Sequence, residues 1–160
     1  MQLKRIEGGL KSMSLLQFAS GAVVVLEFEM CIMFWQVAAF RVDRSDESIQ
    51  LLNDLAFIPF IGLASTGIVQ CVATAAVILR DRRERPILPR WSAFYNLFVG
   101  LCFVPGAWNA LFHGGPIAWN GVLSWYVAMA AFMSWYIVNS YVILTALRAQ
   151  EHDKEEVPVA

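Results

Sequence analysis

Charged side chains are scarce in this chain: they make up 16% of its 160 residues, against 58% hydrophobic residues. A soluble domain of this size carries about 25% charged residues. The charges are also clustered, and the segments 55–79, 91–112 and 114–147 contain none. Several helices that are apolar on every side would leave so short a chain without a polar surface, which excludes a soluble globular protein.

Metal-binding and catalytic motifs are missing as well. Cys31, Cys71 and Cys102 each stand alone in a hydrophobic segment without CxxC spacing, so packing is their default role. His113 and His152 lie outside the apolar segments, which excludes a bis-histidine haem site within the membrane. There is no nucleophile elbow, P-loop, HExxH motif or basic nucleic-acid arm. We therefore expect no cofactor, no metal, no catalytic residue and no nucleic-acid partner, and an enzyme is the least favoured class.

The long apolar segments are what the sequence does contain. About 20 apolar helical residues cross a bilayer core about 30 Å thick. The first segment is too long for the apolar region of a signal peptide, so we expect it to stay in the protein. Pro105-Gly106 predicts a kink in the third helix. The sequence predicts an all-α transmembrane bundle of four helices with short loops in a single membrane domain, with helices at about 13–40, 55–79, 91–112 and 122–147 and a tail at 148–160.

The basic residues predict the orientation of this bundle. Ten lysines and arginines fall on one side of the membrane, and only Arg41 and Arg44 on the other. Because basic residues are retained in the cytoplasm, we expect both termini there. Orientation alone explains the basic connector between the second and third helices, and contact with anionic lipid headgroups is the alternative. The connector arginines are Arg80, Arg82, Arg83, Arg85 and Arg90.

Two acidic residues, Glu27 and Glu29, interrupt the first apolar segment in "VVVLEFEMCIMFW". The segment between Lys11 and Arg41 is centred on residue 26, where an ionised acid costs about 2.5–3.5 kcal/mol. We therefore expect a neutral carboxyl group that is hydrogen-bonded to another helix. Residues two positions apart on a helix lie about 200° apart around its axis, so Glu27 and Glu29 cannot line one groove. Since Glu27 is nearer the midpoint, we predict that Glu27 faces the bundle interior.

Polar rows on the other helices supply candidate partners for Glu27. Gly62, Thr66, Gln70 and Thr74 recur every four residues on the second helix. Thr66 is nearest Glu27 in depth, but the longer Gln70 amide is our first choice because it can donate and accept. With Asn96 and Asn139, these residues define a candidate ligand or proton site: Glu27, Glu29, Gln70, Asn96 and Asn139. Trp135 and Tyr136 lie in mid-span, so at least one should face the interior.

Three functions remain open at this stage. The first is the binding or passage of a small apolar molecule or a proton at Glu27. The second is a non-catalytic subunit or assembly partner, as a homo-oligomer or in a larger membrane complex, whose polar residues hold helices together. The third and weakest is copper handling by soft ligands, since methionine at helical spacing is usually packing. The soft ligands are Met30, Cys31, Met33, Met129 and Met133.

Several segments resemble an uncharacterised family of multi-pass membrane proteins of actinobacteria and some proteobacteria. They are "FWQVAAFRVDRSDESIQLLNDLAFIPF", "RRERPILPRWSAFYNLFVGLCFVPG" and "GPIAWNGVLSWYVAMAAFMSWYIVN". The similar region runs from about Arg5 to Arg148, and 89–106 and 115–121 are its most specific parts. The resemblance implies a class, multi-pass membrane protein, and a location, the bacterial plasma membrane, but no activity. Members of that family usually have a further span upstream of the part that "QLKRIEGG" resembles, so the resemblance also implies a shortened chain or a late assigned start.

Overall fold

Helices account for nearly all of the chain in a computed structural model that describes residues 2–9, 11–62 and 64–155. No strand occurs within these ranges, which confirms the all-α prediction. The α-helices of the described ranges are α1 (Gln2–Glu7), α2 (Ser12–Phe40), α3 (Asp46–Gly62), α4 (Ala64–Arg80), α5 (Arg90–Phe103) and α6 (Ala128–Glu155). A 3-10 helix (Gly106–Leu111) follows α5, and a π-helix (Val122–Val127) precedes α6.

Four stretches of the described chain are long and apolar enough to cross a membrane, which confirms the number of spans predicted. Apolar side chains cover the outer faces of these helices; Phe18, Val25 and Leu101, for example, are exposed. A bilayer is the environment that such faces require, so the chain is a membrane protein. The spans are Ser12–Phe40, Asp46–Arg80, Arg90–Leu111 and Val122–Glu151.

The second span differs from the predicted helix at 55–79. It begins at Asp46 because Ser45 caps α3, with its hydroxyl oxygen 3.4 Å from the Ser48 amide, and acids follow in the first turn. Acids at a helix start are favourable, so charges that suggested a connector belong to a helix. The structure describes the span in two parts, α3 up to Gly62 and α4 from Ala64. Within α3, Pro59 removes one backbone hydrogen bond.

The third and fourth spans change helix type at the ends that lie opposite the basic connector. The α5 helix ends at Phe103, and the chain continues as 3-10 turns after Pro105, so the predicted kink at Pro105-Gly106 is a change of helix type. A side chain at Gly106 would lie 3.1 Å from the Ile61 carbonyl oxygen, so glycine permits close contact with α3. The α6 helix extends beyond residue 147, the predicted end, to Glu155.

The α4 helix lies at the centre of the bundle. It packs against α2 on one side and α5 on the other, and α6 packs against α5. The polar row on α4 takes part in this packing: Gln70 lies over Gly21 of α2, and Thr74 is buried. Between α2 and α6 the contact is made by side chains, with the Phe28 and Phe132 rings stacked at 5.5 Å. This arrangement leaves a cleft between α2 and α6.

The short α1 helix folds over the end of the bundle that carries the basic connector. Leu3 and Ile6 pack against a buried cluster that includes Ile78 and Leu88. Glu7 accepts hydrogen bonds from the Ser14 amide, at 2.9 Å, and from the Ser14 hydroxyl. Partial burial alone would raise the pKa of Glu7, but these hydrogen bonds, with Lys11 and Arg80 nearby, lower that pKa below its usual value.

The buried carboxylate of Asp81 organises the basic connector itself. Asp81 is 3% exposed and accepts hydrogen bonds from the backbone amides of Arg83, at 3.3 Å, and Ile87, at 3.0 Å. The Arg83 side chain lies 3.7 Å from the same carboxylate and also donates to the Arg5 carbonyl oxygen. Asp81 therefore orders the connector, and the Arg83 side chain joins it to α1.

Candidate functional site

The cleft beside Glu27 has a volume of about 80 Å³. It is bounded by α2, by the end of α3 and the start of α4, and by the start of α6. Five of the side chains that line it are aromatic. The complete lining is Val24, Glu27, Phe28, Phe60, Ile61, Ala64, Thr66, Gly67, Phe103, Ser124, Trp125, Ala128, Met129 and Phe132.

Glu27 is the one acidic side chain in this lining. It is 6% exposed, whereas Glu29 lies on the exposed face of α2, so the structure agrees with the choice of Glu27 as the inward-facing acid. The Thr66 hydroxyl donates a hydrogen bond of 2.9 Å to Oε1 of Glu27. Thr66 belongs to α4. The Glu27 carboxyl group therefore joins α2 to α4 inside the cleft.

The rest of the lining limits the chemistry of the site. It contains no second carboxyl group, no histidine and no basic side chain. A relay of protons needs further titratable groups, and a metal needs several ligands. Among the described residues there is also no group of three histidines, cysteines, aspartates or glutamates that could hold a metal ion. What the cleft provides is a cavity rich in aromatic rings, with one carboxyl group and the hydroxyl groups of Thr66 and Ser124.

A π-helix shapes the wall of the cleft opposite Glu27. It covers Val122–Val127, and its wider turn places Ser124 and Trp125 on the cleft. The Ser124 hydroxyl donates to the Ile117 carbonyl oxygen at 2.6 Å, which ties this turn to the preceding loop. Turns of π-helix are rare and recur at functional sites, where they redirect side chains.

Aromatic rings cover the outer end of the cleft, the end opposite the basic connector. The Phe57 ring contacts those of Trp35, Trp119 and Trp125, with centroids 5.0 to 5.4 Å apart. Toward the opposite end, a packed cluster with Cys71 and Val99 fills the interior. Side chains therefore fill both ends of the cleft, and the Phe28–Phe132 stack bridges α2 and α6 at its wall.

A smaller cavity of about 20 Å³ lies on the other side of Glu27, between α2 and α3. Cys31 and Pro59 contribute to its lining. The Cys31 thiol donates a hydrogen bond of 3.0 Å to the Ala56 carbonyl oxygen, so it serves the contact between α2 and α3. Glu27 therefore separates two cavities of unequal size.

The structure does not bring Gln70, Asn96 and Asn139 together with Glu27. Thr66, and not Gln70, donates to Glu27, because Gln70 lies one turn further along α4 and packs over Gly21. Neither Gln70 nor the two asparagines line the cleft.

The two asparagines instead join α5 to α6 in a separate polar network. The Asn96 side chain donates to Oδ1 of Asn139 at 3.2 Å and to the Ser92 carbonyl oxygen at 2.7 Å. It accepts from Nε1 of Trp135 at 2.7 Å. The prediction that Trp135 or Tyr136 faces the interior therefore holds for Trp135, while Tyr136 is exposed. With Asn96 fully buried, this network holds helices together.

The soft ligands considered for copper do not converge. Met33 and Met133 lie on exposed faces of α2 and α6. Cys31 is engaged with α3, and Met129 lines the larger cleft. A Cu(I) site needs two or three sulfur atoms at bonding distance from one point, and these positions do not supply it.

The aromatic lining of the cleft was not predicted from the sequence. Phe28 follows Glu27 directly, and Phe132 precedes Trp135, but aromatic residues occur throughout every span. Aromatic residues within membrane spans usually pack in the core or contact lipid. Because they are so common here, the sequence does not distinguish the few that meet at the cleft. The start of the π-helix gave no signal in the sequence. Comparison of the chain with protein-family models, with curated proteins and with solved structures finds no match.

Proposed function

We propose that this protein binds a small, mainly apolar molecule in the cleft beside Glu27. The observation that carries the proposal is the pairing of Glu27 with Thr66 at the base of an otherwise aromatic cavity. Ligand sites are commonly apolar, with a few placed polar groups that fix orientation. A molecule with an apolar body and one hydroxyl or carbonyl group matches this distribution. Intramembrane acids are also a functional hypothesis by default, because they are expensive to keep.

Ligand binding fits the cleft better than passage of a proton. Proton transfer across a bilayer needs a chain of titratable groups or water, and the lining offers Glu27 alone. The largely apolar lining suits a molecule that is already dissolved in the membrane. Enzymatic chemistry has no support either, because Glu27 is the one acid–base group in the lining of the cleft.

A photoreactive alcohol tests the proposal. The protein is reconstituted in phosphatidylcholine nanodiscs with hexadecanol that carries a diazirine, illuminated, digested and analysed by mass spectrometry. We expect saturable labelling of the segments 60–67 and 124–132, with competition by unlabelled hexadecanol. Replacing Glu27 by leucine removes a hydrogen-bonding group, so labelling should weaken by about threefold to twentyfold, the range for one membrane hydrogen bond.

Matched variants separate binding from folding. Glu27→Gln keeps a hydrogen-bonding side chain and should retain most of the labelling, and Glu29→Gln, on the exposed face of the same helix, should leave it unchanged. Melting temperatures of all variants show whether each remains folded. Labelling that does not saturate, or that spreads evenly over the lipid-facing helix surfaces, would contradict the proposal.

The proposed location is the plasma membrane of a bacterium, with both termini in the cytoplasm. The excess of basic residues at one end supports this orientation, and the resemblance to a bacterial membrane family supports the location. The connector arginines Arg80, Arg82, Arg83, Arg85 and Arg90 then face anionic lipid headgroups. In support, Arg83 is the one of these that has an ion-pair partner within the described residues.

A role as an assembly partner has a different basis. The polar row on α4 no longer supports it, since that row packs within the chain. Its remaining support is Glu29 on the outward face of α2.

A further inference from the structure

Glu29 is a carboxyl group that the fold leaves on the lipid-facing surface. Its side chain is exposed, and among the described residues nothing donates a hydrogen bond to it or accepts one from it. Glu27, two residues earlier, is buried and bonded to Thr66. The cleft therefore explains one of the two glutamates of α2 and leaves the other without a role.

The depth of Glu29 makes this exposure costly. The α2 helix is centred on residue 26, so Glu29 lies about 4.5 Å from the middle of the span, well within the hydrocarbon core. Lysine and arginine can extend from such a depth toward the interface, but the glutamate side chain is shorter. Ionisable residues within spans nearly always face protein or water. A second protein surface is therefore needed at this position.

The exposed face around Glu29 has the pattern of a helix–helix seam. Ala22, Glu29 and Gln36 are spaced by seven residues and are all exposed. Val25, Ile32 and Ala39 fall three residues after each of them and are exposed as well. This alternation of three and four residues is the a/d pattern with which two helices cross at about 20°. Small residues at both ends of the seam let two backbones approach closely.

The polar groups of the seam identify its partner. Two copies of one membrane protein have the same orientation, so their α2 helices run parallel and each seam residue meets its own counterpart at equal depth. A protonated carboxyl group both donates and accepts a hydrogen bond, and so does the glutamine amide. Glu29 and Gln36 are thus each complementary to themselves.

We propose that the face formed by Ala22, Val25, Glu29, Ile32, Gln36 and Ala39 is the interface of a parallel homodimer. At its centre the two Glu29 carboxyl groups hydrogen-bond to each other. The interface lies on the opposite side of α2 from Glu27, so it leaves the cleft of each copy free. The inference is independent of the proposed ligand.

Energy transfer between labelled copies tests the dimer. Donor- and acceptor-labelled protein is co-reconstituted in vesicles and diluted progressively with lipid, which gives a dissociation constant. Glu29→Leu should weaken the dimer by about tenfold, the effect of one or two hydrogen bonds in a membrane. Glu29→Gln keeps the self-complementary bonding and should stay near the wild-type value. Val23→Ala, exposed on a neighbouring face, is the matched control and should have no effect.

Cysteine cross-linking locates the interface even if Glu29→Leu fails to fold. In a background in which the three native cysteines are replaced by alanine, single cysteines at 25 and 32 should form disulfides between copies. Cysteines at 23 and 30, each two residues and therefore about 200° around α2 from these positions, should not. Absence of energy transfer in the wild type, an unchanged dimer in Glu29→Leu, or cross-links to a different protein at 25 and 32 would each overturn the proposal.

Discussion

Filling the cleft should affect stability and binding in opposite directions. Ala128 lines the cleft at the first residue of α6, so its replacement by phenylalanine places a ring where the proposed ligand would lie. The surrounding wall is already aromatic, with Phe28, Phe60 and Phe132 at hand. The new side chain therefore meets a compatible surface. We expect the ligand-free variant to be more stable than the wild type and to bind the photoreactive alcohol much less.

The size of the effect follows from the cleft volume. Empty cavity space costs about 24 cal/mol per Å³ in proteins. For the cleft of about 80 Å³, complete filling would stabilise the protein by about 2 kcal/mol, an upper limit because the cleft is open on one side. In a chain of this length that corresponds to a rise in melting temperature of about 4–8 °C.

Thermal unfolding in detergent, followed by circular dichroism, measures the stability of the variant, and photolabelling in nanodiscs measures its binding. Ala130→Phe is the matched control, because Ala130 is exposed on α6 and does not line the cleft. It should change neither quantity. A variant at 128 that is destabilised but still labelled at the wild-type level would refute the reasoning, since the ring would then have disrupted the helix packing without occupying the cleft.

Two further predictions concern contacts outside the cleft. Trp135→Phe removes the indole donor from the fully buried Asn96 and should destabilise the protein by about 0.6–1.7 kcal/mol, the range measured for hydrogen bonds between membrane helices, while photolabelling of the cleft persists. At the basic end, the pKa of Glu7 is lowered in the folded protein, so its hydrogen bonds to Ser14 stabilise the fold above the ordinary glutamate pKa of 4.5. This stabilisation is lost as the pH falls through the lower pKa of the folded state. The protection factors of the amides in α1 and at the start of α2, which correct for the intrinsic pH dependence of exchange, should therefore fall as the pH drops below about 4.5 in the wild type. In Glu7→Gln the same protection factors should not depend on pH in this range, and an equal fall in both proteins would exclude Glu7 as the cause.

Much of the fold could be predicted because the bilayer restricts what a hydrophobic segment can do. Charge-free stretches of more than 20 residues must form helices, since lipid offers no partner for free backbone groups. The position of the charges then fixed the number of spans and the depth of Glu27. The ends of the helices were less predictable. Asp46 and Glu47 suggested a connector, but charges are compatible with helix once the chain has left the bilayer, and Ser45 supplies the cap.

The candidate site was predicted in part. Depth selected Glu27 over Glu29, and the fold agrees because Glu27 is the buried member of the pair. Its hydrogen-bond partner could not be predicted, since Thr66 and Gln70 lie on the same face of α4 and differ by about one turn in depth. A shift of one turn between two helices depends on packing details such as Gly21, which accommodates the Gln70 amide.

The sequence by itself determined that this protein is a four-span membrane bundle with an acid near the bilayer centre, because these properties depend on hydrophobicity and charge along the chain. The tertiary structure decided which helices are neighbours, and so created a cleft between α2 and α6 that no segment encodes alone. It also decided that Thr66 bonds to Glu27 and that Glu29 faces outward. These outcomes depend on how the helices are rotated and shifted against one another, and that arrangement is set by many small contacts between residues far apart in the chain.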